Sequence, residues 1–325
     1  MARVQGRGSG AWIAAVGVVL LVGVIGVVFL STKGAPASDN PFADKGLYVY
    51  GGSSAARAAQ LANGTENSAP FAELARTPAA IWLLPEAHPT GEITQFVSSI
   101  EADAAAKSQL PVFVVYGIPS RDCGNFSAGG ASSQEYPLWV SAIAQGLAGQ
   151  ASVVILEPDA LALSPSCGTE DATAALLRDA VARLDTNEQT TIYLDGGHSS
   201  WLAPEQMATL LKAAGIDEVR GFATNVSNFN TTQDERDYGQ ALSELVGGAH
   251  FVVDTSRNGN GATGDWCNPP GRALGDTPTG VDDGTAQDAR LWIKNPGESD
   301  GTCNGGPPAG WWWPEQALEL VHGAS

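Results

Sequence analysis

From about residue 40 onward, two patterns of apolar positions alternate along the chain. Short, continuous apolar runs recur at residues 47–50, 80–84, 112–116, 153–156, 191–194, 221–224, 251–253 and 291–293. Between many of them lie Ala/Leu-rich stretches with helical spacing, at residues 92–107, 136–147, 172–184, 204–214 and 234–246. Strands that are apolar throughout, separated by amphipathic helices, predict a parallel sheet covered on both faces. About eight such units in fewer than 290 residues predict an α/β fold closed into a distorted barrel of the (β/α) kind, not an open sheet.

The residues that follow each predicted strand carry more information. The run 112–116 leads into Arg121 and Asp122, and the run 153–156 into Glu157-Pro158-Asp159. The run 191–194 ends in Asp195, with His198 close behind, and 221–224 ends in Asn225. The run 251–253 is followed by Asp254 and Arg257, and 291–293 by Lys294, Glu298 and Asp300. In a parallel barrel all strand C-termini open on one face, so these groups are expected to converge there. One or two of the acids are expected to hold loops or cap helices instead.

The N-terminus changes the picture of organisation. Arg3 and Arg7 precede an uncharged run, residues 8–32, whose apolar core is residues 11–30. That core has the length of a bilayer span, roughly 20 residues. Ala35-Pro36-Ala37 also offers a small-x-small cleavage pattern. Residues 1–37 therefore read as a signal peptide or an uncleaved membrane anchor with a short linker, and residues 38–325 as one catalytic domain. Either way the basic flank stays inside, and the remainder is secreted or held on the outer side of the membrane. The four cysteines, Cys123, Cys167, Cys267 and Cys303, all fall on the exported side, where two disulfides are expected in any of three pairings.

Composition mainly excludes. The net charge is −18, with no basic stripe, which argues against a nucleic-acid partner. Only four histidines occur, without HExxH spacing, and the cysteines lack CxxC spacing, so no metal site is expected. No nucleophile elbow or phosphate-binding glycine loop is present. A face crowded with carboxylates, however, raises the pKa of some of them, so a carboxylic acid can persist near neutrality. That is what general-acid attack on a glycosidic oxygen requires. Nine tryptophans add flat apolar faces suited to sugar rings. Trp82, Trp201 and Trp266 lie at or just beyond strand ends. Trp12 belongs to the N-terminal segment, and Trp311, Trp312 and Trp313 are expected to pack near the C-terminus, away from the site.

Several segments together resemble glycoside hydrolase family six, the bacterial-type cellulases. Val115-Tyr116-Gly117-Ile118-Pro119-Ser120-Arg121-Asp122-Cys123 is similar to its first signature, and Val154-Ile155-Leu156-Glu157-Pro158-Asp159-Ala160-Leu161-Ala162 to its second. Tyr193-Leu194-Asp195-Gly196-Gly197-His198, Asn225-Val226-Ser227-Asn228-Phe229, Asp254-Thr255-Ser256-Arg257, Trp266-Cys267-Asn268-Pro269 and Trp292-Ile293-Lys294 with Gly297-Glu298-Ser299-Asp300 follow in order. The resemblance spans about residues 40–320 and implies inverting hydrolysis of β-1,4-glucan without a cofactor. It implies Asp159 as general acid, Asp122 as its neighbour and proton relay, and Asp195 as a group tuning the same network and helping to bind the distorted sugar. It further implies Asp300 as the alternative direct base and Tyr116 as the group crowding the scissile sugar. Lys294, Glu298, His198 and Asn225 become polar sugar or water contacts, the last pointing into the cleft, and Trp82, Trp201 and Trp266 become sugar platforms. It also implies the disulfides Cys123–Cys167 and Cys267–Cys303. One position departs: Ala128 stands before Gly129-Gly130 where the family carries a serine, with Ser127 one place earlier.

The resemblance implies that processive members roof the site with a long insertion at this point; here only the short stretch 300–310 separates Asp300 from the tryptophan run, so an open cleft and internal cutting are expected. The protein is expected to be a monomer. The alternatives are an exo-acting cellobiohydrolase of the same family and a surface glucan-binding protein that has lost turnover. No carbohydrate-binding module or Pro/Thr-rich linker follows the barrel in this sequence. Soluble or amorphous glucan is therefore expected to be cut faster than crystalline cellulose; equal rates of reducing-end release on the two would contradict this.

Overall fold

The computed structural model describes residues 40–323; the N-terminal segment read above as signal or anchor lies outside the described residues. Among the described residues no helix is long and apolar enough to cross a membrane. In chain order the strands are β1 (Gly46–Leu47), β2 (Ile81–Leu83), β3 (Gln109–Leu110), β4 (Val112–Val115), β5 (Ser152–Leu156), β6 (Thr190–Asp195), β7 (Gly221–Thr224), β8 (His250–Asp254), β9 (Thr279–Gly280) and β10 (Gln287–Leu291). The helices are α1 (Ser54–Leu61), α2 (Ser68–Arg76), α3 (Thr90–Ala106), α4 (Tyr136–Leu147), α5 (Ala160–Cys167), α6 (Glu170–Leu184), α7 (Pro204–Ala213), α8 (Thr232–Leu245) and α9 (Pro314–Gly323). The main sheet runs β2-β4-β5-β6-β7-β8-β10 in parallel, with β9 added antiparallel at its edge. The pair β1–β3 stands apart from this sheet.

The sheet curls into a distorted barrel. Its two outer parallel strands are not laddered together, but Ala80 N–H donates to the Trp292 carbonyl at 2.9 Å. The Trp82 indole Nε1 donates to the Ile293 carbonyl at 2.8 Å, so the seam is narrow. Side chains alternate along each strand, as the pleat requires. Val112, Val114, Val153, Ile155, Tyr193, Ala223, Val252 and Ala289 fill the interior with Phe42. Phe113, Val115, Val154, Leu156, Leu194, Phe222 and Val253 face outward against the helices. Burial on both faces is the reason these strands read as uninterrupted apolar runs.

The last strand departs from the expectation. It spans Gln287–Leu291, not 291–293, and carries Asp288 on a buried position. Apolarity alone could not place it, because Asp288 is made tolerable by partners from three other segments. The Tyr193 hydroxyl donates to it at 2.6 Å, Arg220 binds both of its oxygens at 2.9 and 2.8 Å, and His250 Nδ1 lies 3.0 Å away. Arg220 precedes β7 and His250 opens β8, so this knot ties the N-terminal end of the barrel. Of the run 47–50 only Leu47 is strand, in β1, and helices α1, α2, α5 and α9 add to those expected. Replacing Asp288 by Ala leaves the Arg220 guanidinium buried without its counter-charge and should cost about 3–5 kcal/mol. Urea unfolding of Asp288→Ala measures this, and a loss under about 1 kcal/mol would contradict a structural role for the knot.

Candidate active site

At the opposite, C-terminal end of the strands the loops enclose a cleft of about 1310 Å³. Asp122, Asp159, Lys294, Glu298 and Asp300 all line it, as do Tyr116, His198, Trp82, Trp201 and Trp266. The backbone there is unusually contorted: Asp122, Glu157, Asp159, Asn225 and Ser227 all adopt positive φ. Left-handed residues other than glycine are costly and persist only where surrounding contacts over-determine them.

Those contacts are hydrogen bonds to carboxylates. Glu157 is buried and accepts the backbone N–H groups of Gly117 and Ile118, each at 3.0 Å. It thus pins the chain between Tyr116 and Asp122, and burial raises its pKa to about 7. Asp254, fully buried, accepts from Ser227 N at 3.0 Å, Ser256 N at 2.9 Å, Ile293 N at 3.2 Å and Lys294 N at 2.9 Å. It ties the loops after β7, β8 and β10 together. Both of these strand-end acids hold loops and do not reach the cleft.

Asp195 accepts the backbone N–H of Asp159 at 3.0 Å and that of Gly197 at 3.1 Å. Burial, opposed by these donors and reinforced by the charge of Glu235, raises its pKa to about 7. It is buried beneath Asp159 and does not line the cleft, so it acts on Asp159 from behind and has no surface to offer a sugar. Asp159 itself has its pKa pushed well above the usual carboxylate range by burial, then by Asp195, Asp122 and Asp300, with Lys294 opposing. Asp300 shows the reverse. Burial would raise it, but Arg257 Nη1 at 2.9 Å and Lys294 Nζ at 3.3 Å outweigh burial and hold it below the usual range.

Asp122 is half-buried, and its Oδ2 accepts the Ser127 N–H at 2.8 Å. Ser127 lines the cleft beside Ala128 and stands near the Tyr116 hydroxyl. Burial and the charges of Asp159 and Asp122 raise the Tyr116 phenol, so it stays protonated. Its ring is wedged edge-on against Trp82 at 5.1 Å and under the Arg121 guanidinium at 4.6 Å. Trp201 lies 5.4 Å from the His198 ring. Burial lowers the His198 pKa to about 4, which keeps the imidazole neutral, with Nδ1 3.0 Å from Asn230 Nδ2. Lys294 donates to the Ser299 carbonyl at 3.2 Å, and Glu298 is raised by burial.

Two expectations fail. Asn225 does not point into the cleft: it is fully buried, and its amide donates to the carbonyls of Asn230 at 3.0 Å and Asp254 at 2.9 Å. The left-handed turn after β7 directs it into the protein to satisfy those carbonyls, and Asn228 and Asn230 line the cleft in its place. The tryptophan run was set aside, yet Trp311 and Trp312 both line the cleft. Arg257, one of the strand-end groups expected to converge but given no role by the sequence, holds Asp300 at 2.9 Å. Glu235, in the polar helix α8, gave no signal at all. The disulfides join Cys123 to Cys167 and Cys267 to Cys303, as the resemblance implied.

A barrel whose strand ends present a proton-bearing carboxyl, ionised carboxylates and flanking aromatic faces in one cleft defines a hydrolase of glycosidic bonds. The profile of Glycosyl hydrolases family 6 matches residues 42–324, and the chain belongs to that family. It is 45% identical over 287 residues to Endoglucanase A of Cellulomonas fimi, covering 87% of this chain and 62% of that protein. It is 38% identical over 312 residues to Endoglucanase 1 of Streptomyces halstedii, covering 91% of this chain and 95% of that one. Among solved structures it is similar to the endoglucanase Cel6 from Mycobacterium tuberculosis in complex with methyl-cellobiosyl-4-deoxy-4-thio-β-D-cellobioside. That likeness has a TM-score of 0.84 and 44% identity over 88% of this chain and 99% of that chain.

The raised carboxyls fix the sign of a stability effect. Glu101, buried on α3, is raised to about 8, and Glu157, Asp195 and Glu235 to about 7, in each case chiefly by burial. The folded state therefore binds more protons than the unfolded chain across neutral pH, and stability falls as pH rises through these values. The depressed groups Glu86 and Asp300 lose their contribution only below the ordinary carboxylate range. The melting temperature should fall between about pH 5 and about pH 8. A melting temperature that holds or rises over that interval would show that these carboxyls titrate normally.

Proposed function

We propose that the protein is an endo-acting β-1,4-glucanase that hydrolyses internal bonds of cellulose-type chains with inversion at the anomeric carbon. The carrying observation is Asp159, lining the cleft yet surrounded by Asp195, Asp122 and Asp300, so that it keeps its proton. In this reading the Asp159 carboxyl gives its proton to the glycosidic oxygen as the bond from C1 to that oxygen breaks. Water attacks C1 from the opposite face, and its proton leaves towards Asp122 through the neighbourhood of Ser127. Asp300, committed to Arg257 and Lys294, is a poor proton acceptor. Its fixed negative charge suits stabilisation of the oxocarbenium-like transition state. Tyr116 crowds the reacting sugar, and Trp82, Trp201 and Trp266 supply stacking faces, with His198, Lys294 and Glu298 as polar contacts.

Residues 1–37 are proposed as an export segment, cleaved or retained as an anchor, ahead of the catalytic domain at residues 38–325. Two disulfides in one barrel support a final location outside the cytoplasm. The enzyme is proposed to act as a monomer. Carboxymethyl-cellulose hydrolysis, followed by reducing ends and viscosity together, tests the reading. Viscosity should collapse early, and Asp159→Ala should lose about 10²–10⁴ in rate. Slow viscosity loss with steady reducing ends would favour exo-action. An inert protein that still binds cello-oligosaccharides would favour the glucan-binding alternative.

A further inference from the structure

A folded protein seldom leaves an indole in water, because burying one removes on the order of 150–250 Å² of surface. Among the described residues the exposed tryptophans are Trp266, at 51%, and Trp311, at 64%, and both line the cleft. Trp266 was expected there; Trp311 has no part in the reaction as read above.

Its ring is presented by a rigid backbone. The Ser299 N–H donates to the Trp311 carbonyl at 2.9 Å, the Gly310 N–H to the Ser299 carbonyl at 2.9 Å, and the Trp313 N–H to the Gly297 carbonyl at 2.7 Å. Glu298 and Trp312 form an antiparallel bridge. The tryptophan run is thus stitched to the segment that carries Glu298 and Asp300. Neighbouring side chains of extended backbone point to opposite sides. Trp312 takes the inner side, edge-on to Phe71 at 5.3 Å and against Gly297, where an added Cβ would lie 2.7 Å from its ring. Both rings border the cleft, Trp312 half-buried and Trp311 exposed. Glu298, on the segment stitched to the tryptophan run, also lines the cleft, with Ser54 and Arg57 near it, and these offer hydrogen bonds to hydroxyl groups.

A flat apolar face beside a few polar groups, open to solvent and continuous with the reaction centre, fits a pyranose ring. We propose that Trp311 forms an outer subsite of the cleft, stacking on a glucosyl unit beyond those held at the scissile bond. The inference rests on the glucanase reading. Trp82 and Trp201, half-buried, serve the inner units, and Trp311, the most exposed, serves a unit that only longer chains reach.

The test compares cellotetraose with cellohexaose for the wild type, Trp311→Ala and Trp311→Phe. On cellohexaose Trp311→Ala should lose about tenfold in kcat/KM, mostly through KM, as expected for an anchoring aromatic. On cellotetraose it should match the wild type, and Trp311→Phe should recover most of the loss. The melting temperature should not change, since the ring contributes little packing. A wild type that cuts both sugars alongside an unimpaired or equally impaired Trp311→Ala overturns the subsite alone. A wild type that neither binds nor cuts either sugar overturns the glucanase reading and the subsite with it.

Discussion

Too many carboxyl groups converge on one small space at the mouth of this barrel, and how each is answered governs the rest of the site. Away from bulk water, neighbouring negative charges repel strongly and each ion loses hydration. Glu157 and Asp254 are answered by backbone N–H groups and in return fix the loops that donate them. Asp300 is answered by Arg257 and Lys294 and stays ionised. Asp195 receives two N–H groups, one of them from Asp159 itself. Asp159 is left facing three carboxyls, opposed by Lys294, and its pKa is pushed well above the usual carboxylate range. One geometry thus separates the roles of chemically identical side chains, which is the requirement for acid catalysis near neutrality.

The loops that hold this arrangement are long and have little core of their own, which explains where the covalent links fall. Cys123 follows Asp122 directly and is joined to Cys167 at the end of α5, the helix that begins just after Asp159. Cys267 follows Trp266 and is joined to Cys303, three residues beyond Asp300. Each bridge ties down a mouth loop next to one of the cleft-lining acids, limiting the freedom of the unfolded loops and fixing them in the fold. At the other end of the barrel a different solution serves stability. Asp288 with Arg220, Tyr193 and His250 forms a knot within packed side chains, far from the chemistry. The division between a stabilising N-terminal end and a working C-terminal end follows from parallel strands, whose loops of one kind all open together.

Aromatic surface follows the same division. Inside the fold, rings are covered, as with Trp139, Phe113 and Phe222. Along the cleft they are progressively uncovered, from half-buried Trp82 and Trp201 to exposed Trp266 and Trp311. Exposed indoles are tolerated where a ligand restores the burial that folding withheld.

The sequence by itself determined the parallel barrel, because strands buried on both faces must be apolar at every position and leave an unmistakable pattern. It also determined which acids stand at the mouth, since strand C-termini in such a barrel share one face. The family resemblance supplied the disulfide pairing, between cysteines 44 and 36 residues apart, and the expected roles. What only the tertiary structure decided were contacts between distant segments. Asp288 could sit inside a strand only because Arg220, Tyr193 and His250 meet it there, so the last strand was misplaced by a rule based on apolarity. Asn225 turned inward because two buried carbonyls needed its amide, and Glu235 came to lie near Asp195 from a helix that reads as merely polar. Trp311 stands exposed at the cleft because its neighbour Trp312, which also borders the cleft, takes the packing against Phe71 and Gly297. Periodicity reports which face of an element is buried; it carries no record of which partner waits there, and at this site the partners decide the chemistry.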